Sequence, residues 1–276
     1  MLKTLKRSIF ILITMIVLLI QVYPIFWIFL SSFKTQEEFR INLPFAFPKS
    51  FDLQNYIRAF QISQLGAYFI NSFIVTFCAI AGIALLGSMS AFALQKMQFK
   101  INRFFLAFFI LGIIIPIHIT LIPMFIIYNN LNMLNTHISL ILPQIGFALP
   151  MSIYLFYEFY RYIPKEIFES GMMDGCNIYQ NFYKLLLPMS KNTFVTVLTM
   201  NAITIWNEFT LSNTFISKST MKTVPIGLYD YQGDFGMTDW GATFAAIAVT
   251  TVPLLILFFL LNKGIISGMT VGAVKE

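Results

Sequence analysis

Glu208 is the residue best placed to do chemistry, because it is an acid inside an apolar run, "NAITIWNEFTLSNTF". A carboxylate there is costly to keep in lipid and marks a function: a proton site, a pathway lining or a hydrogen-bonding strut. Asn207 beside it, and the amides of Gln144 and Asn201, are placed by sequence position alone to line the same path. His118, between Pro116 and a group of isoleucines, reads as a packing or rim residue. Catalytic constellations are missing. There is no H-E-x-x-H, no G-x-S-x-G and no Asp inside an apolar run, so nothing pairs a nucleophile with a base. No G-x-x-x-x-G-K-[S/T] loop cradles phosphates either. Cys78 and Cys176 lie in an apolar run and a polar loop without zinc-type spacing, so no disulfide, metal site or bound cofactor is expected.

A second stretch carries a different kind of chemistry. "FESGMMDGCNIYQNFYKLLLPMS", residues 168–190, sets acids, glycines and a proline between two oily runs. Its spacing predicts two short helices and a turn. Pro164 suits a first helical position, and Glu166 and Glu169 favour the positive end of the helix that follows. Gly175 after Asp174 suits a left-handed C-terminal cap. Asn177 with Gln180 makes a capping box for the next helix, which Pro188 ends. Phe168, Met172 and Met173 then have no core of their own in the hairpin. Such knobs seek either lipid headgroups or a partner's groove, and spacing leaves both open.

The elements that hold these groups are set by the solvent. The chain has 276 residues, 58% hydrophobic and 11% charged, against roughly a quarter charged in soluble domains. A helix needs about 20 apolar residues to cross a bilayer. Runs at 8–33, 68–94, 104–128, 138–160, 193–215 and 243–261 meet that length, which predicts an all-α integral membrane protein of six spans in one domain, 1–276. The first run is longer than a signal-peptide core and ends in bulky "IFWIFL", so it reads as a retained span. With the N-terminus cytoplasmic, the inner side holds twice as many Lys and Arg as the outer. Both termini and the loop 161–192 are therefore expected inside. The net charge of +6 follows from that asymmetry, and nucleic acid is not an expected partner. Ala84 with Ser88, and Gly87 with Ala91, give the second run a smooth face for close helix packing.

The segment "IPKEIFESGMMDGCNIYQNFYKLLLP" resembles the EAA loop of ABC importer permeases. Glu169 takes the Glu position, Asp174-Gly175 the Asp-Gly pair and Leu187-Pro188 the terminal pair, while Ser170, Gly171 and Cys176 stand where alanines are usual. "FDLQNYIRAF", "YFINSFIVT", "WNEF", "KTVPIGLYDYQG", "DWGATFAAIAV" and the tail "GMTVGAVKE" follow the order found in carbohydrate permeases of the maltose-system kind. Glu276 ends that tail where a glycine is usual.

The resemblance implies a type I importer permease, with the EAA hairpin seated in a groove on a cytoplasmic ATPase. It implies a second permease, two ATPase subunits that bind the ATP, and an extracellular solute-binding protein. Glu169, Ser170, Gly171, Met172, Met173, Asp174, Gly175, Leu187 and Pro188 are then the coupling residues. Tyr229, Asp230, Tyr231, Asp234 and Trp240 form an outer loop that faces the binding protein, or else an ordinary solvated loop. The competing reading is a proton-coupled carrier that uses Glu208. It leaves the hairpin unexplained.

Overall fold

The computed structural model describes residues 2–43, 45–97, 99–232 and 238–273. Asp234 and Glu276 lie outside them. In chain order the helices are α1 (Leu2–Ser31), α2 (Gln36–Ile41), α3 (Gln54–Ile62), α4 (Leu65–Lys96), α5 (Asn102–Gly112), α6 (Ile117–Asn130) and α7 (Ile138–Arg161). The hairpin follows, with α8 (Glu166–Met173), α9 (Ile178–Gln180), a π-helical turn at Asn181–Leu186 and α10 (Leu187–Met189). The chain continues through α11 (Lys191–Trp206), α12 (Thr210–Phe215), α13 (Val224–Gly227) and α14 (Trp240–Ala273). The described residues form no β-strand, only a single bridge between Gln232 and Thr238.

Four of these helices are long and apolar enough to cross a membrane: within α1, α4, α7 and α14. The helix pair α5 and α6 is a fifth span if taken together, but it bends by 91°. The uninterrupted run expected at 104–128 is therefore broken. Pro116 is the residue just before α6, and a proline disfavours helical backbone at the residue ahead of it. The run expected at 193–215 is also not one helix. It divides at Asn207–Phe209 into the 16-residue α11 and the 6-residue α12. At the break the Glu208 carboxylate accepts the backbone N–H groups of Leu211 (2.8 Å) and Ser212 (3.2 Å) at the start of α12.

Two compact units divide the described chain. In one, residues 67–226 and 254–276, α4 packs on α7 through small residues. A Cβ on Gly82 would come within 2.5 Å of Ile145 Cδ1, and one on Gly87 within 3.6 Å of Ser152 Cβ. Gly87 belongs to the small-residue face expected of α4, whereas the tightest approach is at Gly82, outside that set. One apolar cluster joins Val75, Ala79 and Ile83 of α4 to Leu140, Ile205, Leu211 and Phe215. Asn71, Asn135 and His137 tie loops down beside it: Asn71 donates to the carbonyls of Thr220 and Lys222, both at 2.9 Å, and its Oδ1 meets His137 Nε2 at 2.9 Å.

In the other unit, residues 1–66 and 227–253, the separated motifs of the sequence meet. Asn55 of α3 is fully buried and donates to the carbonyls of Ser32 and Lys34, both at 2.8 Å, while its Oδ1 accepts from Arg58. Gly241 must be glycine, because a Cβ there would collide with that Oδ1. Asp239 caps α14 through the N–H of Ala242 (3.0 Å) and pairs with Arg58 at 3.5 Å. Phe244 stacks on Phe39 and meets Trp27 edge-on.

Candidate coupling hairpin and polar cleft

The hairpin is built as its residues dictate. Helix α8 ends in a full Schellman turn: Gly175 N–H donates to Met172 O (3.1 Å), and Cys176 N–H donates to Gly171 O (2.9 Å). Gly175 sits at φ +86°, which a side chain adopts only with strain. The capping box is present, Asn177 Oδ1 accepting from Gln180 N–H and Gln180 Oε1 from Asn177 N–H, each at 2.9 Å. Pro164 falls ahead of the helix rather than at its first position, which Glu166 takes. Pro188 does not end the second arm but lies inside α10. Its ring crowds the carbonyl four residues back, and the turn before it widens, Leu187 N–H reaching Phe182 O.

The hairpin is anchored, which corrects the reading of Phe168. That ring is 5% exposed and packs edge-on against Phe92 of α4 at 5.7 Å, with Phe182 against the same ring at 5.6 Å. Phe156, Tyr160, Leu186 and Val197 complete this second apolar cluster. Lys96, at the end of α4, lies over the Phe168 ring and donates to Ile163 O. Gly171 is a packing residue and not an outward contact. A Cβ there would sit 2.6 Å from Asn181 Oδ1 and 2.7 Å from Leu185 Cδ1. Asn181 itself is buried and donates to Phe168 O at 3.1 Å. Within the chain nothing lies within 4 Å of a Cβ at 175, so the local demand for glycine there is its positive φ, whereas at 171 it is close packing.

What remains outside is a compact tip. Glu169, Ser170, Met172, Met173, Asp174 and Gly175 are exposed, and Met173 is 89% exposed. Pro188 is exposed too, while Leu187 packs against the second cluster. A groove of about 340 Å³ runs between this tip and α4, lined by Phe92, Lys96, Phe168, Glu169, Met172 and Ile178 among others.

Three of the four polar residues expected along a path come together. Gln144, Asn201 and Glu208 line one cleft of about 290 Å³ with Ser152, Thr204, Phe147 and Met200. Asn201 Nδ2 is committed to Ser152 Oγ (3.0 Å) and Val197 O (2.8 Å). Asn207 does not join them; its amide folds back on Ile203 O at 2.8 Å. Ser152 and Thr204 were missed by sequence reasoning because hydroxyls in apolar helices usually bond their own backbone, as Thr204 does to Met200 O. His118 is exposed.

The outer loop residues separate. Tyr229 and Trp240 are exposed, but Tyr231 is buried, donating its hydroxyl to Ala59 O (2.7 Å) and meeting Ser63 Oγ at 2.8 Å. Tyr231 is thus a strut and cannot face a docked protein. Trp240 instead borders a cleft of about 380 Å³ with Gln36, Phe39, Arg40, Arg58 and Asp239. Beside that cleft, Glu38 is shaped by opposing effects. Burial pushes its carboxyl up, but the N–H groups of Lys49 (2.6 Å) and Thr35 (2.8 Å), the Thr35 hydroxyl and the Lys34 charge together hold it below its ordinary value.

Helices of membrane length, an anchored polar hairpin and a polar cleft are features that a membrane transport subunit requires. The profile of the binding-protein-dependent transport system inner membrane component matches residues 83–271, and the chain belongs to that family. It is 33% identical over 254 residues to a diacetylchitobiose uptake system permease protein of Streptomyces coelicolor, with 92% of each chain covered. It is 29% identical over 276 residues to a trehalose/maltose transport system permease protein of Thermococcus litoralis, covering 99% and 98%. Among solved structures, a bacterial ABC transporter that imports the acidic polysaccharide alginate superposes with TM-score 0.81 at 20% identity, over 93% of this chain and 96% of that one. The chain is an integral cell-membrane permease subunit of a binding-protein-dependent ABC importer, and its family implies ATPase and binding-protein partners.

Proposed function

We propose that this permease carries a sugar, as half of a pathway completed by a second, different permease. Its hairpin then takes up the motion of two cytoplasmic ATPase subunits. The observation that carries the coupling role is an exposed tip, Glu169, Ser170 and Met172 to Gly175, held by a buried base: Met172 and Met173 are free to plug a groove while Phe168 and Phe182 lock the arm to α4. Movement at the tip is passed to a transmembrane helix through packed rings, which do not yield as a loop would. ATP binds and is hydrolysed on the partner subunits, and this chain holds no cofactor. Sugar as the cargo is supported by the names of relatives that span almost the whole chain.

In this reading both termini are cytoplasmic. The bent pair α5–α6 and the broken pair α11–α12 each count as one crossing, giving six. The cleft of Gln144, Asn201 and Glu208 lines the sugar path, and Tyr229, Asp230 and Trp240 face the binding protein.

The test is co-purification in mild detergent of the native chain and of a Gly175→Asp variant. Aspartate is among the side chains that enter positive φ with least strain, so it brings a charge into the contact with the smallest disturbance of the turn, and the variant's thermal midpoint is matched to the native one before the comparison. The native chain retains an ATPase and a second permease; the variant keeps the permease and loses the ATPase. An ATPase held equally by both would move the contact elsewhere. Sugar uptake by cells expressing the full importer, measured over a panel of labelled mono- and oligosaccharides, tests the cargo separately.

A further inference from the structure

The groove beside the coupling tip continues into a second cleft that the coupling role does not use. It measures about 210 Å³ and is lined by Leu94, Gln95, Met97, Asn102, Arg103, Leu106, Tyr157 and Lys165. Four of these bring hydrogen-bond donors: the Arg103 guanidinium, the Lys165 ammonium, the Gln95 amide and the Tyr157 hydroxyl. Asn102 is the brace, its Nδ2 committed to the carbonyls of Leu94 (3.1 Å) and Met97 (2.8 Å). No carboxylate lines this cleft. Of the acids nearby, Glu158 pairs with Arg161 at 3.8 Å and Glu166 acts on Lys96, while Glu169 lines the neighbouring groove, which Lys165 and Met97 border as well. Neither Arg103 nor Lys165 is in an ion pair with another described residue.

Position makes this cleft more than a charged patch. It lies where α4 ends in Lys96, α5 begins at Asn102, and α7 ends at Arg161. Spans change to loops at that level, where cations and tyrosines of membrane proteins meet headgroups. The start of α5 has no side-chain cap. Directly along α5, Phe104, Phe105, Phe108 and Leu111 are exposed, an apolar strip running away from the cationic end. Donors at a helix boundary above an exposed apolar strip match a molecule that is a phosphodiester at one end and hydrocarbon beyond it.

We propose that the cleft of Arg103 and Lys165 binds the headgroup phosphate of an anionic phospholipid, whose acyl chains lie along α5. Basic pockets between transmembrane helices hold anionic headgroups by these contacts, and each cation contributes about 1 kcal/mol. Because Lys165 immediately precedes α8, the bound lipid props the base of the hairpin.

The test uses the purified full chain in detergent with added phosphatidylglycerol or phosphatidylcholine, reading bound lipid by native mass spectrometry. The native chain prefers phosphatidylglycerol, and an Arg103→Gln, Lys165→Gln variant loses roughly thirtyfold of that affinity, two cations at the stated worth. Lys49→Gln, an exposed cation elsewhere, leaves the preference intact. Both variants are first matched to the native chain for thermal midpoint in phosphatidylcholine, which separates misfolding from lost binding. Equal binding of the two lipids by the native chain, or an unchanged preference in the double variant, overturns the proposal. Displacement of the lipid by millimolar inorganic phosphate also overturns it, making the cleft a free-anion site.

Discussion

At Gly171 two residue-scale effects oppose each other, and their sizes decide the outcome. Alanine is favoured over glycine in a helix by about 1 kcal/mol, but forcing a methyl against packed neighbours costs about 1–3 kcal/mol. The added Cβ would meet Asn181, which cannot retreat because its amide is tied to Phe168 O. Gly171→Ala is therefore expected to lower stability by about 1 kcal/mol net, seen as a lower thermal midpoint in detergent. Ser170→Ala, at the exposed neighbouring position, stays within about 0.5 kcal/mol. The sequence showed that a small residue stands at 171. It did not show which surface needed it, because Asn181 and Leu185 lie on the other arm. Glu38 gives a pH signature. A carboxyl held below its unfolded value adds stability above that value and loses it as pH falls through the folded one. The native midpoint should thus drop on acidification below about pH 4.5, and Glu38→Gln, which has no charge to lose, should show a shallower drop over the same range.

At the scale of elements, the break at Asn207–Phe209 separates the two readings of Glu208. As the acceptor for Leu211 and Ser212 N–H groups, Glu208 needs its oxygens more than its proton. Glu208→Gln keeps one oxygen acceptor and should retain uptake within severalfold. Glu208→Ala removes the cap, at a cost of about 1 kcal/mol, and should lower the thermal midpoint. Uptake abolished by the glutamine variant at unchanged stability would favour a proton site. This break was half legible. An acid in an apolar run announces that something departs from a plain span, but only the fold shows the chain turning so that the acid caps the next helix. The π-helical turn was less legible still: Pro188 marked a disturbance, and the direction in which the helix yields depends on Phe182 being pinned against Phe92.

For the whole molecule, the charge asymmetry predicts an orientation that labelling can check. In a background with Cys78→Ser and Cys176→Ser, cysteines introduced as Ser50→Cys and Ser170→Cys should differ. The first reacts with a membrane-impermeant maleimide in intact cells, the second only after permeabilisation. The reverse pattern would invert the topology. Ser170 lies on the exposed tip and Ser50 on an exposed loop, and expressing the chain without its ATPase and binding protein keeps both positions open to the reagent.

What the sequence determined by itself was the solvent, the helical class, the hairpin with its two caps, and the family. These rest on local rules: run length against bilayer thickness, and turn chemistry set by residues within a few positions of one another. Only the tertiary structure decided which helices are continuous and that Phe168 anchors the hairpin. It also decided that Tyr231 is a buried strut and that Gln144, Asn201 and Glu208 share a cleft. Each of those depends on a partner far away in the chain. Periodicity cannot name such a partner in spans where most positions are apolar and few polar residues mark which side of a helix looks inward.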